Sequence, residues 1–125
     1  MNGAKTGYLT IPGNSAGYAP HGGILQKSYG NGLITNYTYN NRLQLQTLSA
    51  GSLLGISYGW GTTNNNGNLL SEMISAGSSS PFSESFGYDT VNRLISATDS
   101  GGWTQTFKHD AFGNMWESAS GLKAG

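Results

Sequence analysis

The chain contains no cysteine, which excludes a disulfide framework and any thiolate metal site. Charge is scarce as well: six basic and six acidic side chains make up 10% of the residues and leave a formal net charge of zero. There is neither a basic footprint for nucleic acid nor an acidic tail, so no nucleic-acid partner is expected. A balance this close to zero also gives little electrostatic protection against self-association. The two histidines, His21 and His109, are too few for an imidazole metal centre, and neither metal nor cofactor is expected. No apolar run is long enough to cross a bilayer, so membrane insertion is not expected. The first residues, Met1-Asn2-Gly3-Ala4-Lys5, lack the apolar stretch of a secretory signal. The expectation is a cytoplasmic protein or an internal piece of a larger exported one.

What the chain does have is glycine (20 residues), abundant Ser, Thr and Asn, and three Trp, seven Tyr and four Phe spread along its length. Disordered segments are usually poor in aromatics, so the composition reads as ordered and β-rich. Along residues 33–39, Leu33, Thr35, Tyr37 and Tyr39 fall on one side, and Ile34, Asn36 and Thr38 on the other. That period of two belongs to a strand. Residues 42–48 repeat it with Leu43 and Leu45 against Gln44 and Gln46, and residues 54–60 with Leu54, Ile56, Tyr58 and Trp60 against Gly and Ser. Gly30-Asn31-Gly32 and Asn40-Asn41 supply turns that tolerate positive φ. Residues 61–67 are too polar to bury and read as a surface loop. No segment sustains a 3.6-residue period, and the glycine content opposes helix. The chain is therefore expected to be all-β, with about ten short antiparallel strands. Residues 1–23 read as an irregular N-terminal segment with one short strand over 6–11, residues 24–118 as a repeat sheet, and residues 119–125 as a flexible tail.

One duplication organises the sequence. Phe82, Glu84, Phe86 and Tyr88 match Trp103, Gln105, Phe107 and His109, each pair 21 residues apart, and Asp89, Arg93 and Leu94 continue onto Asp110, Asn114 and Met115. A period in this range marks a repeat architecture. With Arg93 as anchor, the matching positions earlier in the chain are Arg42 and Asn68. The aromatics are expected to stack in rows between copies, at about 0.2–1 kcal/mol per cross-strand contact. Asp89, Asn40 and Asp110 stand where a turn needs a side chain that bonds its own backbone. Gly113 and Asn92 are suited to positive φ. Arg42 and Arg93 are placed to lie over an aromatic ring of the next copy.

The run Phe86-Gly87-Tyr88-Asp89-Thr90-Val91-Asn92-Arg93-Leu94-Ile95 resembles the YD repeat of the RHS family. Residues 107–115 resemble it with His109 in place of the tyrosine and Asn114 in place of the arginine. Two weaker copies are a shortened one at Tyr37-Thr38-Tyr39-Asn40-Asn41-Arg42-Leu43 and a lengthened one from Tyr58-Gly59-Trp60-Gly61 to Asn68-Leu69. The resemblance spans residues 24–118. It implies a curved antiparallel sheet of strand-turn-strand units, which in RHS proteins, toxin-complex subunits and teneurins spirals into a hollow shell. In bacterial members that shell encloses a toxin or effector. Four or five repeats are too few to enclose anything alone, so closure into a barrel or shell is expected by oligomerisation. The resemblance further implies a non-catalytic structural segment, part of a larger secreted or cell-surface bacterial protein, with toxin cargo elsewhere in the parent chain. The segment that ends family shells with an autocleaving aspartyl activity is lacking, so no catalytic residue is carried over.

Other chemistries find weaker support. His109-Asp110 looks like a phosphohydrolase dipeptide, but the repeat already explains both residues, and further ligands are wanting. No G-x-S-x-G elbow is present for a serine hydrolase. Glu72, Glu84, Asp89, Asp99, Asp110 and Glu117 offer carboxylates for glycoside hydrolysis. Glu84, between Phe82 and Phe86, is the one whose pKa burial would raise. The favoured alternative places it in solvent or against Lys108 or Arg93. Trp60, Trp103 and Trp116, with Tyr58 and Tyr88, suit stacking on sugar rings, so a carbohydrate-binding module is the second function considered. Asn36-Tyr37-Thr38 is a glycosylation sequon that matters only in a eukaryotic secretory setting.

Overall fold

The computed structural model describes residues 9–13 and 16–121. Every regular element among them is a strand: β1 (Leu9–Thr10), β2 (Gln26–Tyr29), β3 (Ile34–Tyr39), β4 (Leu45–Ala50), β5 (Leu54–Gly59), β6 (Ser71–Ala76), β7 (Phe82–Tyr88), β8 (Leu94–Asp99), β9 (Thr104–His109) and β10 (Met115–Gly121). The sheet order follows the sequence from β1 to β10. This is the all-β, antiparallel architecture that the alternating pattern predicts. Of the expected strand at 6–11, residues 9 and 10 are strand and 6–8 lie outside the described residues. At the other end, strand pairing continues to Gly121.

The chain groups into two units. One is Met1–Ser57 with Ser75–Ser79; the other is Tyr58–Ile74 with Ser80–Gly125. In the first, Tyr37 pairs with Leu48 and Leu48 with Ile56, while Thr38 pairs with Thr47 and Thr47 with Ser57. Directly paired residues share a face. One face is thus aromatic and aliphatic, and the other carries hydroxyls and amides, with Thr38 bonded to Thr47 at 2.6 Å and Gln26 to Asn36 at 3.0 Å. In the second unit, Phe82 pairs with Ile74, Phe86 with Ala97, and Tyr88 with Leu94 on one face. Ser85 with Thr98 and Ser96 with Thr106 occupy the other. Burial is shallow. Ala97, at 8% exposure, is the buried hydrophobic residue and Thr35 the buried polar one, and no described side chain is shielded completely.

Two kinds of turn recur between the strands. Ala50-Gly51-Ser52-Leu53 and Ala76-Gly77-Ser78-Ser79 are tight hairpin turns, closed by Leu53 N to Ala50 O (3.0 Å) and Ser79 N to Ala76 O (3.1 Å). Glycine stands first in each centre with φ of 55° and 56°, a left-handed conformation that glycine adopts without strain. The second kind spans five residues, has a left-handed fourth residue, and recurs at 29–33, 40–44, 89–93, 99–103 and 110–114.

The turn at 40–44 corrects the expected register. Tyr39 pairs with Leu45 across a bulge, as Tyr88 pairs with Leu94. Asn40 therefore stands where Asp89 does, Leu43 where Asn92 does, and Gln44, not Arg42, where Arg93 does. Leu43 and Asn92 share φ of 65°. The copy is full length, not shortened. The Leu43/Leu45 alternation that suggests a strand from 42 is a coincidence of a turn residue and a strand residue, and Leu43 is 58% exposed.

Candidate functional site

The repeated tyrosine and the turn after it form the most specific constellation in the molecule. Tyr88 ends β7, and its hydroxyl donates to the Leu69 carbonyl at 2.9 Å, two residues before β6. Tyr39 ends β3, and its hydroxyl donates to the Ile24 carbonyl at 3.0 Å, two residues before β2. Each ring thus ties its own hairpin to the start of the strand before it. Gly23 lies under the Tyr39 ring. A Cβ there would stand 2.8 Å from Cζ and 2.5 Å from His21 Nε2, so only glycine leaves room. His21 packs edge-on against Tyr39, with centroids 4.7 Å apart.

The turn is held from inside by its first side chain. Asp89 Oδ1 accepts from Val91 N at 3.0 Å and Arg93 N at 2.9 Å, and Oδ2 accepts from Arg93 Nε at 2.7 Å. Asp110 repeats this with Phe112 N (2.8 Å), Asn114 N (2.9 Å) and Asn114 Nδ2 (2.7 Å). Asn40 repeats it with Arg42 N (2.9 Å), Gln44 N (3.1 Å) and Gln44 Oε1 (2.8 Å). In the last of these, Asn40 donates through its amide nitrogen. The backbone amide of Arg93, joined by the Arg93 side chain and the Val91 amide, holds the Asp89 carboxyl below its ordinary range. The Asn114 side chain does the same for Asp110. Hydrogen bonds to the charged form account for both shifts.

These contacts give Arg93 a different role from the expected ring contact: it closes the Asp89 turn and reaches the Asp110 carbonyl at 3.4 Å through Nη1. A cation does lie near a ring elsewhere, where Lys27 Nζ stands 5.2 Å from the Tyr37 centroid. Asp99 adds a turn of the same kind at the opposite strand ends, its Oδ1 accepting from Trp103 N at 2.8 Å. The spacing Asp99-x-x-Gly102 is the sequence signal that identifies it. The polar loop at 61–67 docks through Asn66, which donates to Asn92 Oδ1 at 2.6 Å, and Asn68 just after it donates to the same oxygen at 3.1 Å.

The remaining sequence candidates fall as follows. Phe86, Leu94, Phe107, Tyr37 and Tyr58 are half-buried along the strands, His109 pairs with Met115, and Gly113 is the left-handed turn residue at φ 88°. Trp60 lies 6.4 Å from Tyr58 between ring centroids. Trp116 pairs with Lys108 while Phe107 pairs with Glu117, which puts Trp116 on the face away from Phe107. Trp103 precedes β9 on the Phe107 side of the alternation, so the three tryptophans do not make one platform. Glu84 differs from the favoured expectation. It pairs with Glu72 on one side and Asp99 on the other, not with Lys108 or Arg93. Burial, the Glu72 charge with a shared hydrogen bond, and Asp99 together raise its carboxyl above the ordinary 4.5. Among the described residues no cluster of His, Asp and Glu suits a metal ion.

Residues 88–120 match the family model described as RHS Repeat. No curated protein matches the chain. The matched stretch opens on Tyr88, the residue that reaches back to Leu69, and contains the Asp89, Asp99 and Asp110 turns. The periodic tyrosine, turn-closing aspartates and paired strands of residues 88–120 are those of an RHS, or YD, repeat.

Proposed function

We propose that the chain is a non-catalytic structural segment of an RHS-type shell that joins further repeats through its strand edges. The observation that carries this reading is the tyrosine contact: Tyr39 and Tyr88 each bind a backbone carbonyl two residues before the preceding strand. Stability in such arrays is a sum of unit and neighbour terms, so each added copy supplies the acceptor for the next. The RHS repeat is a structural unit rather than a catalytic one, and proteins built from it are typically extracellular or cell-surface. In this reading the parent protein is a larger bacterial one carrying toxin or effector cargo.

The strand β10 is last in the order and pairs with β9 alone among the described strands. A register shift between Glu117 and Ala119 bulges it. Bulges on edges discourage indiscriminate pairing, so the edge selects a partner strand of matching irregularity, such as another copy of this repeat. Size-exclusion chromatography with light scattering at micromolar concentration tests this. Dimers or larger assemblies are expected, and a monomer at all concentrations would overturn self-association.

A further inference from the structure

On the aromatic face of the second unit, three carboxylates lie in a row across three strands. Glu72 of β6 pairs directly with Glu84 of β7, and Glu84 directly with Asp99 of β8. Like charges at directly opposed positions oppose strand pairing. At one end of the row, a Cβ on Gly59 would touch the Ser71 hydroxyl, which sets Tyr58 beside Glu72 in the register. At the other end stands Trp103, whose amide bonds Asp99. No lysine, arginine or histidine occupies a paired position in this row. Arg93 is engaged by Asp89, and Lys108 alternates with Phe107 onto the opposite face, beside Trp116.

Apolar surface flanks the acids on both sides. Ile74 and Phe82 pair beyond them toward one strand end, and Phe86 and Ala97 toward the other. Phe82 is 39% exposed and Leu70 42%. A face that is both greasy and acidic, with no cationic side chain in the row, matches a partner of opposite charge that also brings apolar side chains. We propose that this face docks a protein segment that alternates lysine or arginine with apolar residues, its cations meeting Glu72, Glu84 and Asp99 and its apolar groups filling the gaps between Ile74, Phe82 and Phe86. The raised carboxyl of Glu84 agrees, since it reports a site with anionic neighbours and no cationic one. The first unit offers a contrast, because its aromatic face carries Lys27.

The test uses the full chain and a short fluorescein-labelled peptide alternating lysine with phenylalanine and valine, against the same peptide with glutamate for lysine. Anisotropy is expected to show the lysine peptide binding at least about tenfold tighter. Amide shifts in an NMR titration should cluster at 72, 84 and 99. The double variant Glu72→Gln with Glu84→Gln should lose the preference while keeping its strand-dispersed spectrum and its oligomeric state, which separates this surface from edge association. Equal binding of both peptides, no binding, shifts confined to β10, or unchanged lysine-peptide affinity in the double variant would each overturn the proposal. A single Glu84→Gln variant with an intermediate preference would support it should the double variant fail to fold.

Discussion

The turns at 40–44 and 89–93 are the same backbone written in two chemistries. Asn40 and Gln44 close one through neutral amides, and Asp89 and Arg93 close the other through an ion pair. Both place a left-handed residue fourth, both are followed by a bulge against the tyrosine, and both tyrosines bond a carbonyl just before the preceding strand. The difference shows what the repeat requires. A side-chain oxygen that accepts from the amides two and four residues on is needed; charge is not. Exposed ion pairs contribute little in general, so exchanging one for an amide pair leaves the geometry intact and removes its dependence on pH.

Perturbing the first tyrosine should cost the most. Gly23→Ala forces a methyl into the Tyr39 ring. Overpacking costs about 1–3 kcal/mol, with about 1 kcal/mol more for the lost hydroxyl bond; chemical denaturation should read the loss. Tyr39→Phe and Tyr88→Phe remove only the hydroxyl, and each should cost about 1 kcal/mol. Unequal effects in the same assay would show that the two contacts are not equivalent. Leu43 occupies a left-handed position that Asn92 fills in the other copy. Leu43→Asn should therefore stabilise by about 1 kcal/mol, because a branched side chain there is strained, and the midpoint of thermal unfolding should rise. Glu84→Gln should stabilise by about 0.2–1 kcal/mol at neutral pH by removing a like-charge pair.

Acid should also separate the charged turns from the neutral one. Because the folded Glu84 carboxyl is raised, its destabilising charge is present at neutral pH and is relieved as pH falls through the folded value toward 4.5. The Glu84→Gln advantage should shrink over that window. The folded Asp89 and Asp110 carboxyls are depressed, so the stability they contribute is complete above the ordinary 3.8 and lost as pH falls through their lower folded values. Protection of the amides at 91, 93, 112 and 114 against hydrogen exchange, relative to an unfolded chain at the same pH, should fall there, while that of the amides at 42 and 44, held by Asn40, should not.

Much of this was legible in the sequence because strands and turns declare themselves locally. The alternation at 33–39 and 82–88, and the matched Asp89 and Asp110, lead directly to paired strands joined by side-chain-capped turns. The register of the first copy was hidden because Arg42 offers a tempting match to Arg93, whereas the geometry is set by Asn40 and the bulge, and Gln44 does not look like an arginine. The Glu84 row was hidden for another reason. Which side chains stand opposite one another depends on turn length and on the strand slips, and a one-residue change of register exchanges the faces. The reach of Tyr39 and Tyr88 to the strand before is a contact across 15 and 19 residues, and no local pattern announces it.

The shallowness of burial has a thermodynamic consequence. With Ala97 the buried hydrophobic side chain and none shielded completely among the described residues, unfolding releases little apolar surface to water. The heat-capacity increment should therefore fall below the usual ~12–15 cal/mol/K per residue, and the slope against denaturant should be shallow in proportion. A chain of this kind holds a nearly temperature-independent, modest stability by itself, and gains curvature in its stability profile only when a neighbour covers its rings.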